Sequence, residues 1–268
     1  MNEEIMRKAR QWTAPPFDDS TRKEIQDLID RGDEKELFDR FYKELEFGTG
    51  GMRGIMGAGN NRMNIYTVGA ATQGFADYLL GGRSKDEIKK RGVAIAYDSR
   101  NNSKLFATEA ARVLAGNGIK VYIFPDLRPT PLLSFTVRYL NAAGGIVITA
   151  SHNPKEYNGY KVYSDDGSQV IAPDDAEIVA CVGRVDLSGG VRRIEYEEAQ
   201  KNGLIQELDE TVENIYLKKV KSFSEGLEKG IEDIIAGLQK EIKVVYTPLH
   251  GTGITLVPRA LTYTSGRN

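Results

Sequence analysis

The sequence predicts an α/β protein, a mixed, mostly parallel sheet sandwiched by helices, followed by the start of a second similar domain. Three observations carry this. Apolar, β-branched runs at 93–97, 119–124 and 145–149 alternate with helix-length segments at 102–114 and 130–140, and strand–helix–strand units at this spacing pair in parallel through right-handed crossovers. Residues 157–164 then read as a further strand that reaches a turn at Asp165-Asp166-Gly167, an Asp-Gly hairpin signal. Finally, helical segments at 208–223 and 231–238, separated by Gly226 and Gly230, precede a new strand over 242–246. We therefore divide the chain into a helical arm (1–46), a main domain (47–205), and linker helices with an incomplete second domain (206–268).

Composition sets the outer limits. The 268 residues suffice for one large or two modest domains with a real core. With 40% apolar and 28% charged residues, the make-up is that of an ordinary globular chain. A formal net charge of −2 gives no electrostatic reason to expect nucleic acid or an anionic membrane as partner. No apolar run approaches the roughly 20 residues that cross a bilayer, and the acidic Met1-Asn2-Glu3-Glu4 lacks a signal core. The single Cys181 rules out an internal disulfide and suits a cytoplasmic location. His152 and His250 are too few for a histidine-rich metal site, and one cysteine is too few for a zinc thiolate site.

In the arm, Asp33-Glu34 starts a helix whose apolar face comprises Leu37, Phe38, Phe41 and Leu45. Trp12, Pro15, Pro16 and Phe17 interrupt what precedes it, so the arm is expected to pack on the domain rather than act. Next, Gly48, Thr49, Gly50, Gly51 and Arg53 form a glycine-rich stretch, read either as a flexible connection or as a nest of N–H groups with a guanidinium, suited to a phosphate or carboxylate. Its spacing fits neither the dinucleotide fingerprint nor a Walker loop. Ile65, Val68, Thr72, Phe75 and Leu79 predict an amphipathic helix ended by Gly81-Gly82. Past the strand at 93–97, Asp98 or Ser99 can cap the next helix while Arg100 points into the crevice. Lys161 and Tyr163 share one side of their strand, Tyr160 and Val162 the other. Residues 173–205 give no clear pattern, and the last strand runs into a second glycine-rich loop, 247–253, with His250.

The chemistry is expected at Ser151. Residues 146–148 form a buried strand that breaks into small and polar residues and stops at Pro154, which leaves the Ser151 hydroxyl just past a strand's carboxyl end, where open α/β sheets bind ligands. An acyl-transfer nucleophile would need the Gly-x-Ser-x-Gly elbow and a histidine base oriented by a carboxylate. Ala150-Ser151-His152 lacks the flanking glycines, and adjacent residues make side-chain contact awkward, although His250 is formally available. A structural serine in ordinary side-chain-to-backbone turns with Thr149 and Asn153 is the plain alternative. A phosphate-carrying serine is the third. A phosphoserine bears about −1.5 to −2 charges, and its transfer needs cations and positioning more than covalent help. Arg53, Arg100 and Lys161 are the candidate cations.

Thr149-Ala150-Ser151-His152-Asn153-Pro154, followed by Tyr157-Asn158-Gly159-Tyr160-Lys161, resembles the serine loop of the α-D-phosphohexomutases. Residues 47–54, 97–100 and 247–253 look like further motifs of that family in its order. Trp12, Phe17-Asp18 and Asn61-Arg62-Met63-Asn64 are similar to the branch with phosphoglucomutase and phosphopentomutase. The resemblance implies an intramolecular phosphotransferase acting on a phosphosugar, through a bisphosphorylated intermediate. It makes Ser151 the phosphate carrier, His152 and Lys161 members of the catalytic centre with Lys161 the general acid/base, and Arg53 and Arg100 holders of the phosphate. Gly48, Thr49, Gly50, Asn153 and His250 fall at substrate- or phosphate-binding positions. It also implies Mg²⁺, bound in part through the Ser151 phosphate, and glucose 1,6-bisphosphate as activator.

The family's Asp-Gly-Asp-x-Asp-Arg metal loop does not occur in the sequence. Nor do the sugar-selecting and phosphate-binding loops of its third and fourth domains. The expectation is an N-terminal portion, inactive alone, that interconverts glucose 1-phosphate and glucose 6-phosphate within a whole enzyme. Mannose or pentose phosphate specificity, and a non-catalytic phosphate- or partner-binding fragment that self-associates through its interdomain face, are the alternatives.

Overall fold

The computed structural model describes residues 3–82, 84–223, 237 and 243–265. Its sheet has seven strands among these residues, in the order β1 (Phe47–Gly48), β2 (Gly51–Ile55), β6 (Tyr157–Tyr163), β5 (Gly144–Ile148), β3 (Val93–Tyr97), β4 (Val121–Ile123) and β7 (Ile205–Glu207). β5, β3, β4 and β7 run parallel, with Val93 facing Gly144 on one side and Val121 on the other. β1, β2, β6 and β5 are joined by antiparallel pairings. The sheet is thus mixed as expected, but parallel pairings do not predominate. The cause is the connection between β5 and β6, a short loop too small for the crossover that a parallel pair requires.

Helices cover both faces, so β3 and β5 are buried along their whole length. Val93, Ile95, Ile146 and Ile148 point to α4 (Ile65–Gly82) and α6 (Ser103–Gly116); Ala94, Ala96 and Val147 point to α7 (Thr130–Tyr139) and α10 (Glu210–Ser222). α4 is not the one-faced helix expected. Residues 66 to 76 are buried all round, because α8 (Asp174–Val182), from the stretch without a pattern, packs on its other side. The short, charged α5 (Lys85–Arg91) buries only Ile88 and so carries no stripe to read. α9 (Tyr196–Lys201) leads into β7, which extends the sheet two residues past the boundary placed at 205.

The arm folds as α1 (Glu3–Gln11), α2 (Asp19–Asp30) and α3 (Glu34–Phe41), with a core of its own. Trp12 stacks on Phe17 at 4.2 Å and meets Tyr66 of α4 edge-on at 5.5 Å. Asp18 caps α2 by accepting from Thr21 N at 2.9 Å. Burial opposes its ionisation, but hydrogen bonds from Ser20, Thr21 and Tyr66 hold the carboxyl well below the usual range. α3 starts at Asp33 as expected, yet its buried face is Leu37 and Phe41 alone. Phe38 is exposed, and Leu45 lies beyond the helix.

The strand expected over 242–246 is not formed. Ile242 lies outside the described residues, and 243–248 carry no regular structure or strand partner among them. The helix expected at 231–238 falls outside the described residues but for Gly237, as do Gly226 and Gly230. α11 (Gly253–Ser265) rests against α10, where buried Glu213 accepts from Arg128 Nε at 2.7 Å and from Arg259.

Candidate active site

Residues 149–156 turn the chain from β5 back into β6, and their path is fixed from within and beneath. Ser151 adopts φ 55°, a left-handed conformation that costs a non-glycine residue about 1–3 kcal/mol. Its N–H donates to Thr149 Oγ1 at 3.0 Å, and Asn153 N donates to Ala150 O at 3.1 Å. Arg100 crosses below. Its Nη1 donates to the carbonyls of Pro154 at 2.9 Å and Tyr157 at 3.1 Å, its Nη2 to those of Ser151 at 2.7 Å and Asn153 at 2.5 Å. Asp98 holds Arg100 in turn, accepting from Arg100 N at 2.9 Å and Ser103 Oγ at 2.6 Å. The buried Asn158 ties β6 to the same corner by donating to Asn101 O and Ser103 Oγ, both at 2.9 Å. Arg100 does enter the crevice, but its fork is taken up by loop carbonyls, so it shapes the serine loop. Asp98 serves that loop and the start of α6 together.

The glycine-rich stretch is a hairpin, neither a loose connection nor an isolated nest. Gly51 has φ 152°, and a Cβ there would lie 2.0 Å from Tyr160 O, so only glycine lets β2 pair this closely with β6. Pairing Gly51 with Lys161 and Arg53 with Gly159 sets both cations beside the serine loop. Arg53 is exposed, and its Nη1 donates to Asn153 Oδ1 at 2.8 Å. Lys161 is half-buried and faces the cleft, while Tyr160 points into the core, as the alternation predicts. Burial pushes the Tyr160 phenol above its ordinary range.

Ser151 and His152 stand where two cavities meet. One, of about 720 Å³, is lined by Thr49, Arg53, Lys161 and the glycines of the hairpin. The other, of about 790 Å³, is lined by Arg100, Asn153, Lys155 and His250. Ser99 Oγ donates to His250 O at 2.5 Å, which seats the 247–253 loop against the serine loop. The residues expected at the site from the sequence thus line one or the other of two cavities that share Ser151 and His152. The sequence offers Asp98 only as a cap for the next helix, because its bonds are local to Arg100 N and Ser103 Oγ, and gives no sign of Asn158 as a support, because its partners Asn101 and Ser103 lie far back in the chain. Adjacency also predicts an awkward contact between Ser151 and His152. They do touch, with Ser151 Oγ 3.3 Å from His152 Nδ1, because the left-handed turn at Ser151 swings the two side chains together. Among the described residues no carboxylate hydrogen-bonds the His152 ring, so the pair lacks the third member of a hydrolase triad.

The phosphate reading brings magnesium with it, and the residues present do not make a site for one. Among the described residues no three Asp, Glu, His or Cys side chains cluster to hold an ion. Asp98, the carboxylate lining the second cavity, already bonds Ser103 and Arg100. Mg²⁺ takes near-octahedral oxygen ligation from one or two carboxylates, phosphate oxygens and waters; beside a phosphate on Ser151 the second cavity offers only Asp98, whose oxygens are already engaged.

At Gly159 a Cβ would lie 2.5 Å from Thr149 O and 3.1 Å from Met52 O. Gly159→Ala must therefore push β6 off two strands at once. The expected loss is about 1–3 kcal/mol, read as a lower urea midpoint. An unchanged midpoint would mean that the two strands yield freely here.

The model of the phosphoglucomutase/phosphomannomutase alpha/beta/alpha domain I matches residues 44–188. A phosphopentomutase of Mus musculus is 35% identical over 266 residues, covering 97% of this chain and 41% of that protein. A phosphoglucomutase of Staphylococcus haemolyticus is 38% identical over 229 residues, covering 85% of this chain and 39% of that one. The chain thus spans about two fifths of the length of these relatives. In fold it is similar to the crystal structure of the Paramecium phosphoprotein pp63/parafusin, a phosphoglucomutase in open form, with a TM-score of 0.59 at 20% identity over 85% of this chain and 42% of that one. With a domain match over more than half its length, on the stretch that carries the serine loop, the chain belongs to the phosphoglucomutase/phosphomannomutase family.

Proposed function

We propose that this chain is the phosphoserine-bearing portion of a phosphosugar mutase, with glucose 1-phosphate and glucose 6-phosphate as the first choice of substrates. The observation that carries the reading is that Arg53, Lys161, His152 and Ser151 line one cleft, with His152 Nδ1 3.3 Å from the Ser151 hydroxyl. A phosphoryl group on Ser151 Oγ would meet Arg53 on one side, and the hairpin of Gly48, Thr49 and Gly50 would border the sugar. In the forward half-reaction the Oγ–P bond breaks, a sugar hydroxyl forms the new O–P bond and gives its proton to Lys161, and the freed Ser151 oxygen takes a proton from His152, 3.3 Å away. After the bisphosphate reorients, Ser151 returns that proton to His152 as it takes the other phosphate, and Lys161 protonates the sugar oxygen that is released. Arg100 acts by holding the loop, and Asn153 by steering Arg53.

Relatives named for pentose and for glucose phosphates match about equally well, so pentose and mannose phosphates stand as second choices. In this reading residues 47–205 are the serine domain, 1–46 an arm against it, and 206–268 the lead into a further domain. A magnesium ion at the phosphoserine would draw on the phosphate and waters, because no cluster of three carboxylate, histidine or cysteine ligands stands among the described residues. We therefore expect phosphate uptake without steady turnover. Incubation with glucose 1,6-bisphosphate, followed by intact-mass measurement, should add one phosphate that maps to Ser151 and is absent from Ser151→Ala. Wild-type chain that stays unmodified would favour a non-catalytic phosphate-binding role, and robust mutase turnover would overturn the expectation of inactivity. Self-association through the exposed Val245 and Leu249 is read by light scattering.

A further inference from the structure

The turn after β6, an Asp-Gly signal with no chemistry of its own in the sequence, brings one more residue into the serine cleft. Gly167 N donates to Ser164 O at 3.0 Å, and Ser168 N to Asp166 Oδ1 at 2.8 Å. Ser134 Oγ of α7 donates to Gly167 O at 2.6 Å, and Arg91 Nη2 to Asp165 Oδ2 at 3.0 Å, so the turn is fastened to its surroundings. The chain then doubles back along β6. Gln169 pairs with Tyr163 in an isolated antiparallel bridge, and Val170 N donates to Val162 O at 3.0 Å.

Residues directly opposite in an antiparallel pair share a face, and their diagonal neighbours lie within reach of long side chains. Gln169 therefore stands on the side of Tyr163 and Lys161. Contact with the glycine-rich hairpin fixes its head. A Cβ on Gly50 would lie 2.6 Å from Gln169 Nε2, so the carboxamide rests on Gly50. The carbonyl of Gly50 accepts from Val162 N at 2.9 Å, and its neighbour Gly51 pairs with Lys161. Gln169 is half-buried and lines the cavity of about 720 Å³ together with Ser151, Arg53 and Lys161.

Several polar groups around that cavity are already engaged. Arg53 donates to Asn153 Oδ1, Arg62 to Asp39 and Glu36, and Asn61 Nδ2 to Asp39 O. The Gln169 carboxamide has no hydrogen-bond partner among the described residues. It is a neutral donor and acceptor held beside the candidate base, a group that can bind a hydroxyl without taking its proton.

We propose that Gln169 is a binding residue for the reacting sugar oxygen, donating to it from Nε2 while Lys161 takes or returns its proton. The proposal rests on the phosphosugar reading above. It adds a contact at the reacting end of the sugar, whichever hydroxyls a further domain reads.

The test follows phosphate uptake by the full chain, read by intact mass, from two donors. Glucose 1,6-bisphosphate releases a sugar oxygen that must be protonated, whereas acetyl phosphate releases acetate, which leaves as the anion. Gln169→Met keeps the length and the packing against Gly50 but removes the donor. It is expected to slow uptake from the bisphosphate about fivefold, the value of one neutral hydrogen bond, and to leave uptake from acetyl phosphate unchanged. Gln169→Glu, which puts a carboxylate beside the incoming phosphate, should slow uptake from both donors. Equal slowing of both donors by methionine would reduce Gln169 to packing on the hairpin and overturn the proposal, as would wild-type rates in both variants. Either result leaves the serine reading standing. If the parent chain accepts phosphate from neither donor, both readings fall.

Discussion

Replacing Glu213 by alanine is expected to cost about 3–5 kcal/mol of folding stability, the usual loss when one partner of a buried ion pair is removed. The carboxylate is 2% exposed and joins Arg128, 11% exposed, to Arg259 of the last helix. Without it the nearly buried Arg128 guanidinium keeps the Leu127 carbonyl and, as its nearest carboxylate, only the exposed Asp126 at 3.8 Å. Arg259 would keep Asn214 and the exposed Glu210 but lose its buried partner, which weakens the seam between α11 and α10. Urea unfolding followed by circular dichroism measures the loss. Glu213→Gln, which retains the shape and an acceptor, should fall between wild type and alanine. An alanine variant within about 1 kcal/mol of wild type would show that water or a neighbouring carboxylate replaces Glu213 at little cost.

Arg100→Met is the second large effect, and it falls on chemistry more than on stability. Four loop carbonyls lose their donor at once, and the left-handed turn at Ser151 loses the clamp that offsets its strain. A misplacement of about 1 Å at a reacting group can cost 10²-fold, so phosphate uptake by Ser151 should slow by about that factor while circular dichroism stays native. Arg100→Lys should not restore the rate, because a single ammonium cannot reach four carbonyls as a planar fork does. Uptake at the wild-type rate in the methionine variant would mean that Thr149 and Asn153 hold the loop alone.

The parallel half of the fold was legible because its signals are local. Val93–Tyr97 and the 130–140 helix show in composition and period, and Ser151 stands out where a β-branched strand stops. Lys161 was placed by simple alternation, given that Tyr160 and Val162 are core residues. The rest depends on partners far away in sequence. Nothing within residues 47–54 says that they pair with 157–161, so the hairpin is legible only as a glycine-rich stretch, either a connection or an anion nest. Arg100 carries a charge that composition assigns to a ligand, but the loop carbonyls reach it first. α8 and α5 have too few buried positions to set a period. Val244, Val245 and Tyr246 are strand-like in composition but have no strand to pair with among the described residues.

The pairing of β2 with β6 has a bearing on how the protein comes into being. Arg53 and the Asn153 side chain it holds are 100 residues apart in sequence, and closing so distant a contact is slow compared with forming the local βαβ units. A ribosome delivers Arg53 about 100 residues before the Asn153 side chain that it binds. Throughout that interval β2 has only the two-residue β1 beside it, an open edge that invites pairing with other chains. Ser151 is therefore without Arg53 and Lys161 beside it until β6 arrives, and the candidate site is assembled at the moment when the exposed edge is sealed.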